Sequence, residues 1–198
     1  QWTELISKAG GDIVSTWNIL GLKLRKGGAC FGMSSFMQQL NRGILSASQF
    51  GAHTPSEITK TAQVKSIIAY YHIAQFLPQF RRADFADCHK SQSELAEEIV
   101  SSLIAESTPI IINLKEPESP NKPAKEGNGH TVLAYAVDVS SDESNYIVYI
   151  ADPNSMSTST LDVNDKLVVY SNYPSIMLVN KQTYSVAGYS KYHPSPNP

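Results

Sequence analysis

Only two cysteines, Cys30 and Cys88, occur in the 198 residues. Two do not make a disulfide framework, and a chain of this length can bury a core without a covalent staple, so both read as free thiols. Their positions also lack the paired spacing of a structural zinc site, and the adjacent Cys88-His89 does not supply it, so no metal is expected. Charge is sparse: 16 Lys and Arg stand against 18 Asp and Glu, for a formal net charge of -2. Without a basic stripe there is no electrostatic footprint for nucleic acid. No apolar run reaches the ~20 residues of a bilayer-spanning helix, so no membrane span is expected. The residues from Gln1 onward lack the basic, apolar and small-residue order of a signal peptide. Gly10-Gly11 and Gly27-Gly28 lack the spacing and following lysine of a phosphate loop, so no nucleotide or other cofactor is expected. Internal repeats are absent too, and the chain reads as a single domain over 1–198.

What is present falls into two textures. The first is helical. Apolar residues at Trp2, Leu5, Ile6, Ile13, Val14, Trp17 and Leu20 predict two short helices broken at Gly10-Gly11-Asp12, and Leu22 to Lys26 reads as an extended basic connector. Met33, Phe36, Met37, Leu40 and Ile44 share the spacing of one buried helical stripe. Thr54-Pro55-Ser56-Glu57 combines an N-cap, a first-turn proline and a third-position glutamate, and predicts a long helix starting there and ending at Pro78. Its apolar face runs through Ile58, Val64, Ile67, Ile68, Tyr71 and Phe76. Ser91-Gln92-Ser93-Glu94 is a second capping box, opening a helix through Leu95, Ile99, Leu103 and Ile104. From Thr108 onward the period switches to short β-branched and aromatic runs, predicting strands at 109–114, 130–139, 146–151, 166–170, 175–179 and 184–189. Between the first two lies a polar, proline-rich loop at 116–129, and Ser155 to Thr160 reads as another loop. Helices followed by strands predict an α+β fold with a mainly antiparallel sheet and its helices packed on one side. The division is a helical lobe over about 1–107, a sheet lobe over about 108–192 and a flexible tail at 193–198.

Chemistry concentrates at three points. Gly27-Gly28-Ala29-Cys30-Phe31-Gly32 puts a cysteine where a helix begins, and the unpaired N–H groups and positive dipole end there favour thiolate over thiol. The alternative is a small buried cysteine beside a glycine turn. A nucleophilic cysteine needs a base and a group that orients the base. Of five histidines, His53, His72, His89 and His193 fall in a loop, a helix, a polar connector and the tail, whereas His130 follows Gly127-Asn128-Gly129 and opens a strand. The next strand ends in Asp152-Pro153, and antiparallel neighbours bring the start of one strand to the end of the other, so Asp152 can face His130. A structural strand histidine and a turn-starting aspartate are the plain alternatives. The many C-terminal tyrosines, Tyr135 and Tyr149 among them, read mostly as strand packing.

Gly28-Ala29-Cys30-Phe31-Gly32-Met33-Ser34 heading a helix, Gly129-His130 opening a strand and Ile150-Ala151-Asp152-Pro153 closing the next resemble the papain-like cysteine peptidase superfamily (clan CA). The likeness is greatest to its bacterial C39-like peptidases, and YopT-like effector peptidases are similar in layout. The resemblance implies a helical lobe carrying Cys30 as nucleophile and a sheet lobe carrying His130 as general base and acid, with Asp152 orienting the imidazole. The active site would lie between them, acting on a protein or peptide substrate, host proteins included. Such enzymes usually carry a glutamine shortly before the cysteine for the oxyanion. Here Leu24-Arg25-Lys26 occupies that position, and Asn18 is the nearest upstream amide candidate. The same triad serves deamidases and acyltransferases, and a papain-like fold can also persist as a non-catalytic binding module. A monomer is expected, and the resemblance to exported bacterial enzymes points to secretion or translocation, with a cytoplasmic location as the alternative.

Overall fold

The computed structural model describes residues 29–75, 90–106, 108–115, 129–139, 145–153, 165–170, 176–178 and 183–190. The expected helices before Gly28, Asn18, the chain around Phe76 to His89 with Cys88, the loops at 116–128 and 155–160, and the tail at 193–198 lie outside them.

Helix α1, Cys30–Asn41, starts directly at the cysteine. It ends where Gly43 takes a φ of +70°, a left-handed geometry that glycine adopts without penalty, and the Gly43 N–H bonds back to the Leu40 carbonyl at 3.1 Å. Its burial departs from a simple apolar stripe. Phe31 and Phe36 are buried as apolar residues should be, but so are Ser34, Ser35, Gln38 and Gln39, while Met33, Met37 and Leu40 are only partly covered. Ile44 falls beyond the helix and is 38% exposed. Gln38 recovers one hydrogen bond through its Nε2, which donates to the Pro109 carbonyl and ties α1 to the entry of the sheet.

The start signals at Thr54 work over one turn only. Glu57 does cap backwards, accepting from the His53 and Thr54 N–H groups at 2.8 and 3.2 Å, but the turn they close is a 3-10 segment, Pro55–Glu57. Ile58 then becomes extended and fully buried, so core burial of this side chain outweighs continuation of the helix. Helix α2, Ala62–Ala74, begins afresh behind Thr61, whose side chain accepts from the Val64 N–H at 3.3 Å. Helix α3, Gln92–Glu106, has the expected reciprocal cap: Ser91 N–H to Glu94 at 2.7 Å and Glu94 N–H to Ser91 Oγ at 3.2 Å. Leu95, Ile99 and Leu103 are buried as its spacing predicts; Ile104 is not, being 60% exposed.

The strands are β1, Ile110–Lys115; β2, Gly129–Val139; β3, Asn145–Ala151; β4, Asp165–Tyr170; β5, Ile176–Leu178; and β6, Thr183–Ser190. Each pairs antiparallel with the next, and β6 returns to β1, closing the sheet. The fold is therefore α+β, with helices packed on an antiparallel sheet. The helices, however, occupy two faces of the β1–β2 ladder, because side chains alternate along a strand. Ile110, Ile112, Leu114, Val132 and Ala134 pack with α3, whereas Ile111 and Leu133 meet Phe31 of α1 and Ile73 and Ala74 of α2. An α1–α2 pair this close needs Gly32: a Cβ there would stand 2.2 Å from the Ile68 carbonyl oxygen and 2.9 Å from His72 Cβ. Among the described residues, no helix is long and apolar enough to cross a membrane.

Candidate active site

Cys30 occupies the first position of α1, after Ala29, and is a half-buried free thiol. No acidic residue stands in the first turn of this helix to offset its positive end. The first N–H groups of an α-helix have no carbonyl one turn earlier to bond, and Cys30 carries the first of them.

His130 is the second residue of β2 and Asp152 the first after β3. The β2–β3 register, with Leu133 opposite Ala151, carries the end of β3 toward the start of β2. His130 Nε2 and Asp152 Oδ1 lie 2.7 Å apart, and the two residues are only 6% and 2% exposed. A contact this short between buried partners is a charge-assisted hydrogen bond. Cys30 lies near enough to the imidazole for each to shift the other's titration, and with Nε2 held by Asp152 the nitrogen left to face sulfur is Nδ1. Cys30, His130 and Asp152 thus come together in one place, drawn from α1, the start of β2 and the end of β3.

The electrostatics follow from that arrangement. Burial pushes the Cys30 thiol up, but the hydrogen bond and charge of His130, with further hydrogen bonds from Thr131, outweigh it and hold the thiol below its ordinary value. For His130, burial pulls downward, yet the Asp152 hydrogen bond and then Cys30 more than compensate, and its pKa is raised to about 9. Both shifts act in the same sense, toward a thiolate beside an imidazolium. Removing the carboxylate would leave a buried cation with one partner fewer.

Asn18, the oxyanion candidate named from the sequence, lies outside the described residues. Sequence reasoning missed Thr131 and Ser34. Thr131 follows His130 directly, and Ser34 is one turn beyond Cys30, with its Oγ donating to the Thr131 carbonyl at 3.2 Å. Their places beside the two named residues were the available signal. Among the described residues, no group of three or more His, Cys, Asp and Glu side chains is arranged to hold a metal ion. No protein-family model, curated protein or solved structure matches this chain.

Proposed function

We propose that this chain is a cysteine peptidase of papain-like architecture, with a helical lobe over 1–107 and a sheet lobe over 108–192. The observation that carries the reading is the buried 2.7 Å His130–Asp152 contact with a helix-initiating cysteine on the other side of the same imidazole. The Cys30 thiolate would attack the carbonyl carbon of a peptide bond, and the Cys30 N–H would donate to the oxyanion that forms. His130, as imidazolium, gives its proton to the leaving amine as the carbon–nitrogen bond breaks, leaving an acyl group on sulfur and a neutral imidazole. That imidazole then takes a proton from water, the resulting oxygen nucleophile attacks the thioester, and Cys30 leaves as thiolate beside a restored imidazolium. Asp152 keeps the ring oriented throughout and stabilises its charged form.

The test is incubation of the full chain with a diverse peptide mixture, read by mass spectrometry for new termini and in parallel for ammonia. New amino termini that disappear in Cys30→Ala are expected. Ammonia release without chain cleavage would replace hydrolysis of the backbone with deamidation by the same triad. Neither activity, with Cys30 inert to alkylation, would leave a binding module.

A further inference from the structure

Helix α1 carries two doublets one turn apart, Ser34-Ser35 and Gln38-Gln39, and all four side chains are buried. Their bonding differs. Ser34 Oγ donates to the Thr131 carbonyl at 3.2 Å and Gln38 Nε2 to the Pro109 carbonyl, so one member of each doublet bonds the backbone of the sheet or its entry. Among the described residues, Ser35 Oγ and both polar atoms of the Gln39 amide have no hydrogen-bond partner. A serine within a helix commonly turns its hydroxyl back to the carbonyl four residues earlier, as Ser101 and Ser102 of α3 do with Glu97 and Glu98 at 2.6 and 2.5 Å. Ser34 instead reaches a strand residue 97 positions downstream. That residue directly follows His130, and Ser34 itself lies one turn after Cys30.

We propose that Ser34 and Gln38 are positioning residues, whose two bonds to backbone carbonyls set where Cys30 stands relative to His130. The inference rests on the reading of Cys30 as nucleophile and His130 as its base. Apolar contact between α1 and the sheet, through Phe31 and Met37 against Ile111 and Leu133, has no preferred direction and tolerates small slides and rotations. Hydrogen bonds do not, because they weaken steeply as distance and angle depart from the ideal. Two of them, on residues about 6 Å apart along the axis, fix both the rotation of α1 and its height on the strand. From the Ser34 bond it is one helical turn to Cys30 and one residue to His130, so a displacement at the bond is passed to the pair over a short, rigid path. Losing either donor leaves an enclosed carbonyl one partner short, and α1 resettles on apolar contact alone.

The doublets supply matched controls. Alkylation of Cys30 by iodoacetamide in the full chain at about pH 6, with Cys88 quantified alongside by mass spectrometry, reads how well the thiol is placed against His130. Ser34→Ala and Gln38→Met should each slow it by roughly threefold to tenfold, the scale of weakening one interaction with a charged group. Ser35→Ala and Gln39→Met remove the same groups from the next position of the same buried helix but break no hydrogen bond, and should stay within about twofold of the unsubstituted rate. In a His130→Ala background the Ser34→Ala effect should vanish, because no imidazole is left for the thiol to be placed against, whereas a general loosening of α1 or a change in access to the thiol would persist there. No slowing by Ser34→Ala, equal slowing by Ser35→Ala, or a Ser34→Ala effect that survives without His130 would overturn the proposal. Should Gln38→Met not fold, the two serine variants decide, since each removes a single oxygen. His130→Ala alone separates the two levels. If it leaves Cys30 alkylation unchanged, the nucleophile reading fails and takes this inference with it; if it slows alkylation while Ser34→Ala does not, only this inference fails.

Discussion

At the scale of single residues, the site depends on one imidazole having its two nitrogens committed to different partners. Replacing Asp152 by Asn keeps the shape but removes the charge that holds His130 up. The expected result is a fall in kcat/KM on the order of a hundredfold or more, with the alkaline limb of the pH profile moving to lower pH, read from initial rates. Cys30→Ala should lose all thiol-dependent turnover while changing unfolding free energy in urea by only about 1 kcal/mol, since a half-buried small side chain leaves little cavity. Cys30, His130 and Asp152 were legible in the sequence because each sits at the end of an element: a helix start, a strand start and a strand end. Thr131 and Asn113 were not, since their pairing depends on the β1–β2 register, which no local pattern states. Asn18 remains an expectation from the sequence.

At the scale of elements, the position of Cys30 depends on how closely α1 and α2 approach. Gly32→Ala places a methyl group 2.2 Å from the Ile68 carbonyl oxygen, a backbone atom that cannot swing aside. A loss of about 1–3 kcal/mol in urea unfolding is expected, together with reduced alkylation of Cys30 as α1 tilts away from His130. Ser91→Ala, by contrast, removes a cap from α3 at a distance from the site and should cost about 1 kcal/mol of stability with turnover per folded molecule unchanged. The strands were readable to within a residue or two because β-branched alternation between turn residues has few other meanings. The helices were less so. Thr54 to Glu57 carries every start signal, yet burial of Ile58 ends that turn, and burial is a tertiary fact. The polar side of α1 gave no sign that Ser34, Ser35, Gln38 and Gln39 would be enclosed, and the placement of α1 and α2 on one face of β1–β2 with α3 on the other follows from strand alternation only after the pairing is known.

At the scale of the whole molecule, residues 100 and 122 positions downstream of Cys30 are brought to it by helices that precede the sheet and a sheet that closes on itself. The thiolate–imidazolium pair makes both activity and stability depend on pH. Because His130 is raised to about 9, its contribution to stability is complete below its ordinary pKa and is lost as pH rises through about 9. Because Cys30 is lowered, its contribution is present above the ordinary thiol value and is lost as pH falls through its folded value. Turnover should therefore follow a bell whose two limbs belong to the pair as a unit, the alkaline one near pH 9. The most direct measurement is labelling of the full chain by a peptide-like electrophile at about pH 6, where an ordinary thiol is almost wholly protonated, with the adduct mapped by mass spectrometry. A single adduct on Cys30, formed far faster than on Cys88 and lost in His130→Ala, is the predicted result. Labelling of Cys88 with Cys30 untouched, or of Cys30 at the same rate with and without His130, would contradict it.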